Sequence, residues 1–168
     1  MQNAPGDARP ASAVVRYRER LAPSLWLFLA AALGGPMITL VFVPAGSVIA
    51  LAIGVVATIA IIALMIAGSP RVEVDRRVLR AGRAWIDASW LGAPEIRTGE
   101  DARQARGPAL PARGWHLIRG GIDGVVIVPN TDPADPAPSW TISTRTPDRL
   151  AAAIEAARAS ATTDAAAV

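Results

Sequence analysis

The residues best suited to chemistry lie in one stretch, Asn130–Leu150, which holds three aspartates, four prolines, a tryptophan and two arginines. Asp132 and Asp135 are close enough in sequence to offer oxygen ligands to calcium. Prolines follow both, however, and the glycine and distant glutamate of a calcium-binding loop are missing. Because aspartate before proline favours turns by itself, we predict a rigid turn here and no metal site.

The single histidine, His116, and the acidic pair Glu100–Asp101 are the other candidates for catalysis. His116 has no obvious carboxylate or nucleophile partner nearby in the sequence, and no nucleophile elbow, phosphate-binding loop or histidine-rich metal spacing occurs. The chain has no cysteine, which excludes thiolate metal sites and cysteine nucleophiles. We therefore predict no catalytic residue, no cofactor and no enzyme activity.

The charge distribution argues against nucleic-acid binding. The 17 basic residues are all arginine and the 14 acidic residues leave a net charge of only +3. Acidic residues are interspersed with the arginines, so no basic stripe forms of the kind that binds a phosphate backbone.

The first elements predicted along the chain are two membrane-spanning helices that form a hairpin. No charged residue lies between Arg20 and Arg71, and this interval contains two apolar runs of about 20 residues, enough to cross a hydrocarbon core of roughly 30 Å. We predict transmembrane helices over residues 22–43 and 48–67, joined by the short connector Pro44–Ser47. A soluble buried hairpin would need a third apolar partner of similar length, which the sequence lacks.

Arginines on both sides of the hairpin predict its orientation. Arg16, Arg18 and Arg20 precede the first span, Arg71, Arg76 and Arg77 follow the second, and the connector is uncharged. The positive-inside rule then places both chain termini in the cytoplasm and the protein in the cytoplasmic membrane.

Small residues predict that the two spans pack closely. Ala31 and Gly35 are four residues apart on the first span, as are Ala50, Gly54 and Thr58 on the second, which lets two helices approach. Neither span carries an acid, arginine or histidine of the kind that marks a transport path.

The sequence after the hairpin predicts several short strands followed by one final helix. Alternating segments from Arg71 onward read as about seven strands, and Thr146, Pro147 and Asp148 are typical of a helix start. We predict a pleckstrin-homology-like (PH-like) β-barrel closed by this helix, with another small sheet carrying one helix as the alternative. The predicted regions are a disordered tail (1–15), the helical hairpin (16–69), the cytoplasmic β domain (70–159) and a second disordered tail (160–168).

Three segments carry a resemblance to a known family. YRERLAPSLW precedes the first span, VEVD and LRAG follow the second, and DPADPAPSWTISTRTPDRLAAAI lies near the end. Together they resemble an uncharacterised family of actinobacterial two-transmembrane proteins, domain of unknown function 3093, over roughly residues 16–157. The resemblance implies a membrane location and no established activity. Gly120 and Gly121 depart from it, because family members tend to carry a bulky aromatic residue there.

These features predict an interaction module rather than an enzyme. The cytoplasmic domain would hold a peptide, an anionic lipid headgroup or a partner protein beside the membrane, in a scaffolding or regulatory role. The alternative is an accessory subunit of a multi-span transporter or envelope enzyme that packs through the hairpin. The residues predicted to contact lipid or a partner are Arg76, Arg77, Arg80, Arg83, Asp132, Asp135, Trp140 and Arg145.

Overall fold

A hairpin of two long helices is joined to a domain of two four-stranded sheets and two further helices. This computed structural model describes residues 17–166, and the side chains as far as Thr163. The predictions made for residues 1–15, for Arg16 and for the last two residues lie outside that range.

The hairpin consists of α1 (Leu25–Phe42) and α2 (Ser47–Ala67), connected by a 3₁₀ turn (Val43–Ala45) and Gly46. Both helices are long and apolar enough to cross a membrane. Most of their apolar side chains face outward, and an apolar surface of that size is rarely left open to water in a soluble protein. The helices therefore point to a membrane location.

Small residues form the contact between α1 and α2, as the sequence predicts. Gly35, Ala50 and Gly54 are the buried residues of the two helices. An added Cβ on Gly54 would lie 2.9 Å from the carbonyl oxygen of Gly35 and closer still to the hydroxyl of Thr39. Only glycine fits this crossing without moving the backbone of the neighbouring helix.

The first sheet is an antiparallel meander that includes a strand from before the hairpin. Its strands are β1 (Tyr17–Arg20), β2 (Arg71–Asp75), β3 (Val78–Ala81) and β4 (Ala84–Asp87), in that order. Arg20 pairs with Arg71, so the two strands that flank the hairpin are neighbours. Both ends of the hairpin therefore enter the same sheet.

The second sheet is mixed and has the order β5, β7, β8, β6. Its strands are β5 (Glu95–Arg97), β6 (Trp115–Leu117), β7 (Gly124–Pro129) and β8 (Ser139–Thr144). β8 runs antiparallel to β7 and parallel to β6. The short helix α3 (Gly99–Arg106) contacts β5 and β7 and buries Ala102 and Ala105.

The C-terminal helix α4 (Pro147–Ala166) completes one hydrophobic core with both sheets. It begins at Pro147, as predicted. Its fully buried Leu150 and Ile154 are four residues apart and therefore lie on one face. Burial of each such side chain stabilises the fold by about 1.5–3 kcal/mol, so this face fixes the helix on the sheets.

This sheet topology contradicts the prediction of a closed barrel. Residues 17–166 form eight strands in two separate sheets, and no closed barrel is found among them. The parallel pairing of β6 with β8 joins strands that are not consecutive in the chain, since β7 lies between them. Local alternation of apolar residues predicts that a segment is a strand but carries no information about its partner, which is why the arrangement was missed.

The predicted disordered tail from residue 160 is also corrected, because α4 continues to Ala166 instead of ending near Ala159. Ala161 is buried and anchors this last part of the helix. The hydroxyls of Ser160, Thr162 and Thr163 donate to carbonyls one turn earlier at 2.9–3.0 Å. Alanine-rich sequence favours helix strongly enough to carry these residues.

Candidate functional site

The aspartate–proline run forms the loop between β7 and β8. Asp132 accepts the amide N–H of Ala134 at 2.8 Å, and Asp135 accepts that of Ala137 at 2.9 Å. Asp135 also accepts the side-chain amide of Asn130 at 2.8 Å. These hydrogen bonds are typical of turns. Among residues 17–166, no group of three or more acidic or histidine side chains is placed to hold a metal ion.

Trp140, predicted as a contact residue, is buried in the core and is only 2% exposed. Its ring lies 5.9 Å, centroid to centroid, from that of Trp115 on the neighbouring strand. The prediction of a surface contact is therefore wrong for this residue. β8 was predicted correctly as a strand, but both of its faces are buried, so the alternation of its residues did not mark an exposed side.

His116 lies on β6 opposite Thr141. Its Nε2 is shielded from solvent and finds no hydrogen-bond partner among the described residues. Gly114 leaves space beside it, since an added Cβ would stand 2.9 Å from this nitrogen and 3.1 Å from the carbonyl oxygen of Ser139. No carboxylate of the described residues therefore orients this nitrogen.

Arg145 lies at the junction between the domain and the hairpin. Its Nη2 donates to the carbonyl of Ala22 at 2.8 Å, in the short linker between β1 and α1. Its backbone N–H donates to Oε1 of Glu19 at 3.0 Å, and its Nη1 lies 3.7 Å from the same oxygen. Arg145 thus ties the start of α4 to the chain that enters the first helix.

Glu19 is the centre of this polar network. Its Oε2 accepts the hydroxyls of Tyr17 and Thr144, each at 2.6 Å. The hydroxyl of Tyr17 also lies 3.0 Å from that of Thr146, beside the first turn of α4. The side chain of Glu19 is only 13% exposed. A carboxylate so poorly solvated keeps its charge only when hydrogen-bond donors replace the lost water.

The environment of Tyr17 changes its acidity. Burial raises the pKa of the Tyr17 phenol, and the hydrogen bond to the Glu19 carboxylate raises it further. Both effects disfavour the phenolate, because a second negative charge would form in a poorly solvated place next to the first. Tyr17 therefore stays protonated and remains a donor to Glu19 throughout the neutral range.

A second perturbed group, Asp87, lies outside this network. The pKa of Asp87 is lowered by the backbone N–H and the hydroxyl of Ser89, which it accepts at 2.9 and 2.7 Å. Arg77, 4.0 Å away, lowers it slightly more. These bonds close the turn after β4 and explain the acidity without any ligand.

Two further arginines bind backbone carbonyls at the junction. Arg20 Nη2 donates to the carbonyl of Ile66 at 2.6 Å, in the last turn of α2. Arg119 Nε donates to the carbonyl of Leu21 at 3.4 Å. Gly121, on the same loop as Arg119, approaches Ser24 so closely that an added Cβ would stand 2.9 Å from the Cβ of Ser24. The loop after β6 thus lies directly against the start of α1.

The predicted lipid-contact arginines are separated by the first sheet. Arg76 and Arg77 form the turn between β2 and β3, at the end of β2 that points away from the hairpin, roughly 15 Å along the strand from Arg71. Arg83 lies in the turn between β3 and β4, at the hairpin end, and Arg80 pairs with Glu73 across the outer face. Of these four, Arg83 is thus the nearest to the helices.

The surface next to the hairpin carries a set of arginines that we call the junction arginines. They are placed there by the linker strands, by the β3–β4 turn, by the loop after β6 and by the start of α4. Acidic side chains in the same segments are fewer, namely Glu19, Asp123 and Asp148. The junction arginines are Arg20, Arg71, Arg83, Arg119, Arg145 and Arg149.

A cleft opens along the edge of β1 beside α4, and we call it the β1–α4 cleft. Its volume is about 610 Å³, which lies within the range of small-ligand sites. Three arginines, from β1 and from the start of α4, contribute to its walls. The lining residues are Tyr17, Arg18, Glu19, Arg145, Thr146, Arg149 and Ala152.

Sequence reasoning identified Arg145 but missed the rest of this network. Tyr17, Glu19, Arg20 and Arg119 were not among the predicted contact residues. The signal for the first three was the alternating segment YRER, whose tyrosine and glutamate share one face and whose arginines share the other. It is only four residues long, which is too short to identify as a strand before its partner is known.

The chain belongs to a family of proteins of unknown function. Residues 16–154 match the family model described as protein of unknown function (DUF3093). This match covers most of the chain, including the hairpin, both sheets and the first part of α4. Comparisons with curated proteins and with solved structures find no significant match.

Proposed function

We propose that this DUF3093 protein is a membrane-anchored interaction module, with a scaffolding or regulatory role and no catalytic activity. Its hairpin spans the cytoplasmic membrane, both termini lie in the cytoplasm, and the domain is held against the inner leaflet. The observation that carries the proposal is the junction itself, where strands from both sides of the hairpin pair in one sheet.

The hydrogen bonds at the junction support a fixed orientation of the domain. Arg145 and Arg119 hold the linker that enters α1, and Arg20 holds the end of α2. The connections are short, with residues 21–24 before α1 and 68–70 after α2. A domain tethered this closely presents the same face to the bilayer at all times.

The chemistry of that face suits an anionic leaflet. Each arginine near such a surface contributes about 1 kcal/mol of attraction, falling off within a Debye length. Trp26 at the start of α1 and Trp85 on β4 are exposed, at 78% and 65%, and indole rings favour the headgroup region. Anionic lipid headgroups are therefore the first binding partner that we propose.

The proposal is tested with single-cysteine variants of the full chain, which has no cysteine of its own. Gly120→Cys places a fluorophore in the loop beside the hairpin, where an added Cβ meets nothing within 4 Å. Ala134→Cys is the matched control, exposed in the far loop between β7 and β8. In nanodiscs with headgroup-quencher lipids, we expect strong quenching at position 120 and weak quenching at 134.

Anionic lipid should increase the quenching at position 120, because it draws the junction arginines to the surface. Equal quenching at both positions, or no response to anionic lipid, would contradict the proposed orientation. The measurement is made at two salt concentrations, since a surface attraction weakens as salt screens it.

The second candidate function is that of an accessory subunit that packs through the hairpin. One observation favours it: an apolar groove of 510 Å³ on the hairpin, lined by residues of both helices, including Gly35, Pro36 and Val55. Val55→Trp would fill this groove and abolish co-purification with a multi-span partner, whereas the adjacent exposed Val56→Trp would not. Retention of the partner by Val55→Trp would count against this function.

A further inference from the structure

We propose that the β1–α4 cleft is a binding site for a phosphate monoester group. The site goes beyond the proposed function, because it would bind a phosphate ester whether or not the domain rests on the membrane. The argument depends on the charges in the cleft, on the state of its one carboxylate, and on its position.

The cleft carries a surplus of positive charge. Arg18, Arg145 and Arg149 line it against a single carboxylate, that of Glu19. Arg149 is exposed, and Arg18 bonds Glu73 through Nε at 2.9 Å. Guanidinium groups present planar pairs of N–H donors that match phosphate oxygens, so several arginines around one cleft are suited to that anion.

The carboxylate of Glu19 does not oppose an anion as strongly as a free one would. Both of its oxygens are already engaged, Oε2 by the hydroxyls of Tyr17 and Thr144, and Oε1 by the backbone N–H of Arg145. The guanidinium of Arg145 also lies 3.7 Å from Oε1. These donors neutralise the negative charge of Glu19 within the wall of the cleft. The positive charge of Arg149 is therefore able to attract a ligand.

The start of α4 adds to the attraction. Thr146 and Arg149 line the cleft at the first turn of this helix, which runs for 20 residues. The N-terminus of a long helix carries partial positive charge and free N–H groups, which favour an anion beside it. The helix strengthens a site that the arginines already define.

The position of the cleft allows two sources for the phosphate. Arg145 is bonded to the linker that enters α1, so the cleft lies near the hairpin end of the domain. The phosphate could belong to a soluble phosphate ester or to the headgroup of a membrane lipid. The same donors would bind both, and the experiment separates them.

The test uses the full chain in phosphatidylcholine nanodiscs and follows thermal unfolding of the domain by tryptophan fluorescence. One arm adds glycerol 3-phosphate at constant ionic strength. The other replaces part of the lipid by phosphatidic acid, with phosphatidylglycerol at equal surface charge as its comparison. A ligand that binds only the folded state raises the unfolding temperature in a saturable way.

Arg149→Gln and Arg113→Gln are the paired variants, since both arginines are exposed and only Arg149 lines the cleft. We expect saturable stabilisation in at least one arm, with the apparent dissociation constant about tenfold higher in Arg149→Gln and unchanged in Arg113→Gln. Saturation by glycerol 3-phosphate identifies a soluble ester, and saturation by phosphatidic acid alone identifies a lipid.

Three outcomes overturn the site: no saturable effect of either probe, equal behaviour of the two variants, or equal effects of phosphatidic acid and phosphatidylglycerol when glycerol 3-phosphate has no saturable effect. Because phosphatidylglycerol carries a phosphodiester and phosphatidic acid a phosphate monoester, the last of these outcomes would reveal general attraction to surface charge without a site for a phosphate monoester. None of them bears on the quenching experiment, so this inference and the proposed function can fail separately.

Discussion

At the residue scale, Glu19 is the side chain on which the junction depends. It joins β1 to β8 and to the start of α4 through the hydroxyls of Tyr17 and Thr144 and the backbone of Arg145. Hydrogen bonds to a charged group contribute about 1.5–3 kcal/mol each, and a buried donor left without its acceptor costs a similar amount. Several elements therefore depend on one carboxylate, which lies in β1 only two residues after Tyr17.

The acidity of Tyr17 gives a direct test of this network. The chain has one tyrosine, so the near-ultraviolet absorbance of phenolate reports Tyr17 alone. Because burial and then the Glu19 hydrogen bond raise its pKa, we expect Tyr17 in the folded protein to ionise above the ordinary value of about 10. The stability from this shift is present below about pH 10 and is lost as the pH rises through the raised pKa of the folded state.

Glu19→Gln is the informative variant for that titration. It removes the neighbouring charge, so the pKa of Tyr17 should fall toward its ordinary value, while burial keeps part of the shift. Glu95→Gln, an exposed glutamate paired with Arg97, serves as the control and should leave the titration unchanged. A pKa of Tyr17 at or below that of the unfolded chain would contradict the network.

At the element scale, the crossing of α1 and α2 is decided by glycine positions. Gly35 and Gly54 are buried at the contact, whereas Gly34, one residue away, has open space where a Cβ would stand. In a membrane, the packing of helices depends on close approach, because water does not drive the association. The hairpin therefore rests on a few small residues and not on the many large ones that face outward.

Gly54→Ala should destabilise the hairpin, because the new methyl group meets the carbonyl oxygen of Gly35 and the hydroxyl of Thr39. We expect a loss of about 1–3 kcal/mol, the usual cost of overpacking. Gly34→Ala is the matched control and should be neutral or slightly stabilising, since alanine favours helix over glycine. Equilibrium unfolding in detergent mixtures measures both, and equal stability of the two variants would contradict the close crossing.

At the scale of the whole molecule, the domain and the hairpin form one connected structure. β1 and β2 place residues from both sides of the hairpin next to each other, and three arginines bond the linkers and the helix end. Motion of the hairpin would therefore be transmitted to the first sheet and to α4. The same connection fixes the surface that the junction arginines present.

The proposed orientation in the membrane is tested by labelling whole cells. Ala45→Cys lies in the turn between the two helices, and Ala159→Cys lies on the exposed face of α4. Because the arginines flank the hairpin at its domain end, we expect a membrane-impermeant maleimide to label position 45 from outside the cytoplasmic membrane and position 159 only after lysis. The reverse pattern would overturn the cytoplasmic placement of the domain.

Much of the local structure could be predicted from the sequence. The hairpin follows from two uninterrupted apolar runs, and the start of α4 at Pro147 follows from capping preferences. Segments from Arg71 to Thr144 were identified as strands because alternation within a strand is a local property. Trp140 shows the limit of that property, since its strand was predicted correctly and its burial was not.

The sequence by itself determined most of the elements, the two long apolar helices and the excess of arginine around them, because hydrophobic length, period and charge are properties of neighbouring residues. Only the tertiary structure decided which strands pair and which side chains come into contact. It paired β1 with β2, set β6 parallel to β8, and brought Glu19 against Thr144 and Arg145, which lie more than a hundred residues away. Such contacts form when separate elements bury a common core, and no local pattern records which surfaces will meet.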